Sequence, residues 1–384
     1  MKKQVLLSID TASWTNAAPP YKHSYPSTFP SGGVTEVDFY GSLLQLGMLT
    51  IPWRGAAYSL AAYWAYVRYC DVIDPFNPVL RLMSEWSEID SHQKTILSDD
   101  WGVGFTTHWL ASRLKFQAWC DGRYFIDRLA GLGIAAVNRE PKKRGPYKCP
   151  DYIFEDDQGL FHVVECKGNQ QGSSVLKSQM SDGLAQKQTI IFSDEQRQVG
   201  QRIVAGFFVA ESASSEASTL ALADPEPRGL IVRLRDDADP DLVRDAIRRA
   251  DLARQFQQLG AHSIALELLA IPENKEGQQA ERRSRFARLL GELAVRLEPR
   301  SDNDLLTRKV SFPMPERTGS VTVSHAVREE FIRRLAGYDP SKRTLKEQFP
   351  ESDSLRLGWE SVEHEHSGLL HRGKAFVSEL LLNY

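Results

Sequence analysis

Two carboxylates and a lysine occur at a spacing that could serve metal-dependent hydrolysis. Asp151 begins an apolar segment, and Glu165 and Lys167 end a second one, with the turn-forming residues 156–159 between the two segments. Alternate residues of a strand share a face, so Glu165 and Lys167 should lie on the same face of a sheet. Antiparallel pairing brings the outer ends of a hairpin together, so Asp151 should lie across from them. The sequence therefore predicts an Asp, a Glu and a Lys at one edge of a sheet.

This set of side chains suits chemistry at a phosphodiester. Carboxylate oxygens are ligands that Mg²⁺ prefers, and the ion keeps water molecules for a substrate phosphate and for a nucleophile. The bound metal lowers the pKa of its water, while a neighbouring lysine can orient that water, help to deprotonate it and stabilise charge on the phosphate. We therefore expect a hydrolase that depends on Mg²⁺, with Mn²⁺ as a substitute metal.

The segments Pro150-Asp151 and Glu165-Cys166-Lys167 resemble the motif of the PD-(D/E)xK nuclease superfamily, the fold of many restriction endonucleases, Mrr-like enzymes and repair exonucleases. The resemblance implies that Asp151 and Glu165 bind the metal with help from the backbone carbonyl of Cys166. It implies that Lys167 positions the attacking water. It also implies a core with a helix, a three-strand meander, a second helix and a further strand, an order that this chain offers between residues 105 and 210.

Further residues are candidates for contact with the metal or with nucleic acid. Asp121 and Asp127 could supply the carboxylate that many superfamily members add from the first helix. Gln179 and Gln186 lie at helical spacing on the second helix, where some exonuclease-like branches place a Gln near the substrate. The loop 139–148 has five basic residues against one acidic residue, which suits phosphate contact beside the site. Its candidates are Lys142, Lys143, Arg144 and Lys148. For all of these residues, an ordinary solvated helix face or loop is the alternative.

The chain divides into three regions around this motif. Residues 1–100 are rich in Trp, Tyr and Pro and form an N-terminal accessory region. Residues 101–236 form the nuclease-like core, in which the apolar spacing over 101–133 predicts a helix. Residues 237–384 predict a mainly helical C-terminal domain with a helix beginning at Ser324. The expected fold class is α/β (α+β), with a central mixed β-sheet flanked by helices, a restriction-endonuclease-like core, and N-terminal and helical C-terminal accessory regions.

Composition and charge limit the class of protein. The 384 residues are 42% hydrophobic and 25% charged, which excludes collagen-like, coiled-coil and wholly disordered chains. The net charge of −3 argues against a surface that is polycationic throughout, but not against a local basic site. Four cysteines without CxxC spacing favour a reducing cytoplasm over a disulfide framework. Pro52 and Arg54 interrupt the apolar stretch 41–67, which favours two buried or half-buried helices over a membrane span.

The leading interpretation is a Mg²⁺-dependent nuclease, an endonuclease acting on double-stranded DNA. The resemblance also suggests a role in bacterial restriction or anti-phage defence, with a homodimer or a partner protein of a defence complex. The alternative is a catalytically inactive nucleic-acid-binding or complex-assembly protein that retains the fold. A membrane-associated effector that uses residues 41–67 is a third interpretation.

Overall fold

The structure is a computed structural model in which helices pack around three β-sheets of seven, three and six strands. The structure describes residues 1–15, 23–51, 63–137, 149–187, 190–192, 195–224, 232–235, 239–271, 276–300, 304–314, 319–340, 344, 359–364, 367–372 and 375–383.

The seven-stranded and three-stranded sheets are built from residues that precede 236. In chain order the elements are β1 (Lys2–Asp10), α1 (Thr11–Thr15), β2 (Gly33–Asp38), α2 (Phe39–Leu49), α3 (Trp64–Tyr69), α4 (Ser91–Leu114), β3 (Phe116–Asp121), α5 (Gly122–Gly131), β4 (Ala135–Val137), β5 (Tyr152–Asp156), β6 (Phe161–Asn169), α6 (Ser173–Lys187), β7 (Ile190–Ile191), α7 (Glu195–Gln198), β8 (Val199–Phe208), β9 (Thr219–Ala223) and β10 (Val232–Leu234).

The six-stranded sheet and the helices before it are built from the later residues. These elements are α8 (Pro240–Gln258), α9 (His262–Leu269), α10 (Glu276–Arg296), β11 (Glu298–Arg300), β12 (Leu305–Met314), β13 (Gly319–Arg328), α11 (Glu329–Ala336), β14 (Trp359–His364), β15 (Ser367–Arg372) and β16 (Phe376–Asn383).

The seven-stranded sheet is mixed, with the strand order β2-β1-β9-β8-β6-β5-β3. The pairs β1–β9 and β6–β8 are parallel, and the other neighbours are antiparallel. β3, β5 and β6 form a meander, and α6 connects β6 to β8. The prediction of a central mixed sheet flanked by helices is confirmed. The boundary predicted at residue 100 lies inside α4, and β1 and β2 belong to this same sheet.

β5 and β6 form the hairpin that the alternating apolar residues predict. Tyr152 lies opposite Val164 in the antiparallel register. In the turn, Oδ1 of Asp156 accepts a hydrogen bond of 2.9 Å from the backbone N–H of Gln158. Gly159 adopts a φ of +79°, a backbone conformation that glycine tolerates best. Local turn chemistry and strand periodicity thus specify this hairpin.

Helices cover both faces of the sheet at β6 and β8. On one face, Trp101 and Phe105 of α4 are buried, and Phe105 stacks on Phe207 of β8 with ring centroids 4.7 Å apart. On the other face, Leu176 and Met180 of α6 pack in a cluster with side chains of β8. β6, which carries Glu165 and Lys167, therefore lies in the middle of three layers: helix, sheet and helix.

The prediction of a helix over 101–133 is wrong. α4 ends at Leu114, and Lys115 adopts a φ of +52°, which stops the helix. The chain then forms β3 and only afterwards returns to a helix in α5. β3 pairs with β5, which is distant in sequence, and buries Phe116 and Trp119. Strand pairing and burial here outweigh a local apolar spacing that also suits a helix.

The prediction of a mainly helical region over 237–384 misses a six-stranded sheet, although helices still hold more of the described residues there than strands do. The helices α8, α9 and α10 are present, but the chain then forms an antiparallel sheet with the order β11-β12-β13-β16-β15-β14. Ser324 lies in β13, opposite Lys309 of β12 and Glu379 of β16, and α11 begins at Glu329. Pairing with strands on both sides keeps residues 319–328 extended, so the predicted helix starts five residues later than expected, and Phe331 and Leu335 are buried in α11.

The apolar stretch 41–67 contributes to two helices. α2 is buried along its whole length, and α3 buries Ala65, Tyr66 and Tyr69. Residues 52–62 lie outside the described part of the chain. The prediction of two buried or half-buried helices is therefore confirmed for the rest of the stretch. Across the described ranges, no helix has both the length and the apolar composition that crossing a membrane requires.

Candidate active site

The hairpin brings the three predicted side chains into one contiguous group. Oδ2 of Asp151 accepts a hydrogen bond of 2.8 Å from the backbone N–H of Cys166, the residue between Glu165 and Lys167. The Nζ atom of Lys167 donates a hydrogen bond to Oε1 of Glu165. Asp151, Glu165 and Lys167 therefore converge at the open end of the hairpin, as the strand register predicts.

Glu165 is the most deeply placed member of the group. Its side chain has 0% exposure, whereas the Lys167 side chain is 23% exposed. Oε2 of Glu165 is buried and has no hydrogen-bond partner among the described residues. A buried polar atom without a partner costs free energy, of the order of 1–3 kcal/mol. Such an atom marks a position where a bound cation would be stabilised.

Two glycines allow α4 to lie directly against the end of β6. A Cβ atom added at Gly168 would overlap the carbonyl oxygen of Ser98. A Cβ atom added at Gly102 would lie 2.6 Å from the carbonyl oxygen of Lys167. The backbone on either side of Lys167 is thus fixed by helix-to-strand contact that no side chain could enter.

A third glycine holds Asp151 from the other side. The backbone N–H of Gly122, the first residue of α5, donates a hydrogen bond of 2.9 Å to the carbonyl oxygen of Asp151. A Cβ atom at Gly122 would overlap the carbonyl oxygen of Pro150. The Pro150-Asp151 segment therefore rests on the junction between β3 and α5.

Burial sets the electrostatics of the group. It raises the pKa of Asp151, against the opposing effects of the Cys166 N–H and the Lys167 ammonium group. Burial and the nearby charge of Asp151 raise the pKa of Glu165 to about 8. Burial works against the charge of Lys167, but the Glu165 carboxylate outweighs it and raises the pKa of Lys167. Lys167 is therefore cationic at neutral pH, whereas burial beside Asp151 favours the protonated form of Glu165.

The donor atoms suit a hard divalent cation. Asp151 and Glu165 offer carboxylate oxygens, and Cys166 offers a backbone carbonyl between Glu165 and Lys167, so Mg²⁺ or Mn²⁺ fits their chemistry. The unpartnered Oε2 of Glu165 is the structural observation that supports the fit. Within the described ranges, no group of three or more His, Cys, Asp and Glu side chains is arranged to hold a metal. Two carboxylates would therefore act together with the carbonyl, water and substrate.

The two additional carboxylates predicted for the metal are engaged elsewhere. Asp121 lies at the end of β3, immediately before α5, and its carboxylate forms an ion pair with Arg254 of α8. Asp127 lies on α5 and pairs with Arg123 at 3.1 Å. Neither residue belongs to α4 or α6, the two helices that pack on β6.

The nucleic-acid candidates are only partly within the described residues. Oε1 of Gln179, on α6, accepts a hydrogen bond of 3.2 Å from Nδ2 of Asn169 at the end of β6. Gln186 belongs to α6, but its side chain lies outside the description. The basic-loop residues Lys142, Lys143, Arg144 and Lys148 also lie outside the described residues.

Asp99 of α4 is a carboxylate near the site that the sequence pattern does not indicate. It is close enough to Lys167 and Asp151 to interact electrostatically with both. Asp99 lies one turn before Gly102, which contacts the Lys167 backbone. Asp99 could have been found from a predicted helix that begins at 91 rather than at 101. Asp99 and Gly102 are three residues apart and so share one face of that helix.

The comparisons with known proteins identify no relative. No protein-family model, no curated protein and no solved structure matches this chain.

Proposed function

We propose that this protein is a metal-dependent nuclease that hydrolyses phosphodiester bonds. Asp151 and Glu165 are the proposed metal ligands, with the carbonyl of Cys166, and Lys167 is the residue that positions the attacking water. The observation that carries the proposal is the contiguous Asp151–Glu165–Lys167 group with a buried, unpartnered carboxylate oxygen at its centre.

The order of elements supports the same proposal. α4, the meander β3-β5-β6, α6 and β8 follow one another as the PD-(D/E)xK resemblance implies, with β8 parallel to β6. Asp99 is the carboxylate that α4, the first helix of this order, brings within electrostatic range of Lys167 and Asp151. We therefore propose a restriction-endonuclease-like core for this part of the chain.

Each side chain has a role that follows from its contacts. Mg²⁺, when bound, would lower the pKa of a water molecule and offset charge on the phosphate. The Cys166 N–H holds the Asp151 carboxylate in place. The Lys167 Nζ, partly exposed beside Glu165, can hydrogen-bond the attacking water and stabilise negative charge that develops on a phosphate oxygen. The close contact of α4 with β6 fixes the backbone that carries this side chain.

The substrate and the setting rest on the motif resemblance and the composition. We propose double-stranded DNA as the substrate, cleaved endonucleolytically in bacterial restriction or anti-phage defence, by a homodimer or with a partner protein. Four free cysteines are in keeping with a cytoplasmic location. The +4 loop before Asp151 and the helix carrying Gln179 and Gln186 are the proposed phosphate-binding segments.

The test is cleavage of circular DNA, linear DNA and RNA by the purified protein in Mg²⁺, in Mn²⁺ and in EDTA. We expect metal-dependent cleavage that the Glu165→Ala/Lys167→Ala double variant lacks. The matched control is Lys115→Ala/Asp157→Ala, which removes an exposed ion pair of 3.5 Å and should cleave like the parent. A double variant of Glu165 and Lys167 with full activity would contradict the proposal, and a folded parent that binds neither metal would favour the non-catalytic alternative.

Metal affinity should depend on pH through Glu165. The pKa of Glu165 is raised to about 8 in the folded protein, whereas the ordinary pKa of a glutamate is about 4.3. The free energy of unfolding of the metal-free protein should therefore fall as the pH rises between these two values. Metal binding needs the ionised form, so Mn²⁺ affinity should rise about tenfold per pH unit below 8 and level off above it. Calorimetry at pH 6.5, 7.5 and 8.5 in two buffers would show the affinity and a release of about one proton at neutral pH. Glu165→Gln should remove this dependence, and a parent affinity that is flat across the range would refute the assignment.

A further inference from the structure

α8 is joined to two neighbouring strands of the central sheet by partly buried ion pairs. Nε and Nη2 of Arg248 donate hydrogen bonds of 2.8 and 2.6 Å to the two carboxylate oxygens of Glu155 on β5. Arg254 pairs with Asp121 at the end of β3. The two arginines are six residues apart, about 9 Å along a helix. Glu155 and Tyr152, which pairs with Asp121 on β3, are about 10 Å apart along β5. The spacing of the two arginines along α8 is therefore similar to the spacing of their partners along the sheet.

Both terminal nitrogens of the Arg254 guanidinium group donate hydrogen bonds. The residue is 2% exposed. Nη1 donates hydrogen bonds to the carbonyl oxygen of Ile51 and, at 3.2 Å, to Oε1 of Gln257, and Nη2 binds Asp121. The guanidinium carbon also lies 5.7 Å from the centre of the Trp119 ring on β3. A planar cation with fixed donors in such a position holds its partner in one geometry.

A short chain of contacts leads from Arg254 to the proposed metal site. Asp121 directly precedes Gly122, whose N–H donates the hydrogen bond to the Asp151 carbonyl. Asp121 also lies opposite Tyr152, the residue after Asp151. Asp121 is close enough to Asp151 for their charges to interact, and Arg254 forms an ion pair with Asp121.

We infer that Arg254 is a positioning residue for this site: it grips Asp121, fixes the β3–α5 junction on which Asp151 rests, and balances the negative charge beside Asp151. The inference rests on the proposed function, because the metal is the ligand that Asp151 would bind. α8, a helix outside the nuclease-like core, would then help to position a metal ligand of that core. It also gives Asp121 a supporting role in place of direct metal binding.

The first test is Mn²⁺ binding to the full chain by calorimetry at pH 8.5. Arg254→Met should weaken binding by about tenfold, as expected when a group that supports a metal ligand is lost. Arg248→Met is the matched control, because it breaks a similar ion pair at Glu155, about 13 Å along β5 from Asp151, and should leave Mn²⁺ affinity unchanged. Asp121→Asn added to Arg254→Met should cause no further tenfold loss, since both residues act through one ion pair. Parental affinity in Arg254→Met, or a full further loss in the double variant, would overturn the inference.

A second measurement separates this inference from the proposed function. If the parent binds no Mn²⁺, the proposed function fails, and amide hydrogen exchange at Gly122 then tests the contact chain without a metal. Arg254→Met should speed that exchange at least tenfold, while Arg248→Met leaves it at the parental rate; equal rates in the parent and Arg254→Met contradict the inference. If Arg254→Met does not fold, Arg254→Lys replaces it in both measurements. The lysine keeps the charge but loses the fork of donors, so we expect intermediate affinity and exchange, and parental values for both would overturn the inference.

Discussion

Lys167→Met should reduce Mg²⁺-dependent cleavage by about 10²–10³-fold, the usual cost of removing one donor that stabilises transition-state charge. The Nζ atom of Lys167 is bonded to Glu165 and remains 23% exposed, so it lies where an attacking water and a phosphate oxygen would be stabilised. Single-turnover cleavage measures the effect on the chemical step. Mn²⁺ binding must be measured alongside, because the Lys167 ammonium group lowers the pKa of Glu165 and its loss favours the protonated carboxyl; the loss of cleavage should persist when Mn²⁺ saturates the variant.

Lys115→Met is the matched control for that variant. Its side chain is 66% exposed and lies just before β3, at the opposite end of the strand from Asp121. It should cleave at the parental rate, which would show that the loss at Lys167 does not come from removing a positive charge from the protein in general. Cleavage by Lys167→Met at the parental rate would contradict the role proposed for Lys167.

Gly168→Ala should destabilise the protein by about 3 kcal/mol and abolish most cleavage. A Cβ atom there would overlap the backbone carbonyl of Ser98, and neither α4 nor β6 can move without opening the core around Trp101. Forced overpacking of this kind costs about 1–3 kcal/mol, and more where the obstacle is backbone. Urea unfolding measures the change in free energy, and any shift of α4 away from β6 would displace Lys167 as well.

Gly291→Ala is the matched control for this change. Gly291 lies within α10, and a Cβ atom added there meets nothing within 4 Å. Alanine is favoured over glycine in a helix interior by about 1 kcal/mol, so this variant should gain stability. Equal stability of Gly168→Ala and the parent would mean that the α4 contact does not hold the site.

The hairpin and the convergence of Asp151, Glu165 and Lys167 could be predicted because they depend on short-range rules. Side chains alternate along a strand with a period of two, and the residues from Asp156 to Gly159 favour a tight turn. These rules act within 17 consecutive residues, from 151 to 167, and need no knowledge of what packs around them. Helical spacing likewise places Gln179 on a helix, but it does not predict the hydrogen bond that Gln179 makes with Asn169.

The surroundings of the hairpin depend on partners that are distant in sequence. Phe116–Asp121 has a spacing that suits a helix, yet it is a strand because β5 pairs with it; Ser324 lies in a strand because β12 and β16 flank it. The sequence makes Asp121 a candidate metal ligand, but in the structure its carboxylate pairs with Arg254, which is 133 residues away. Asp99 reaches the site only because two glycines let α4 touch β6. The local sequence therefore specified the chemical group itself, whereas long-range packing chose its supporting residues, since pairing and burial energies exceed the small local preferences that a sequence window reveals.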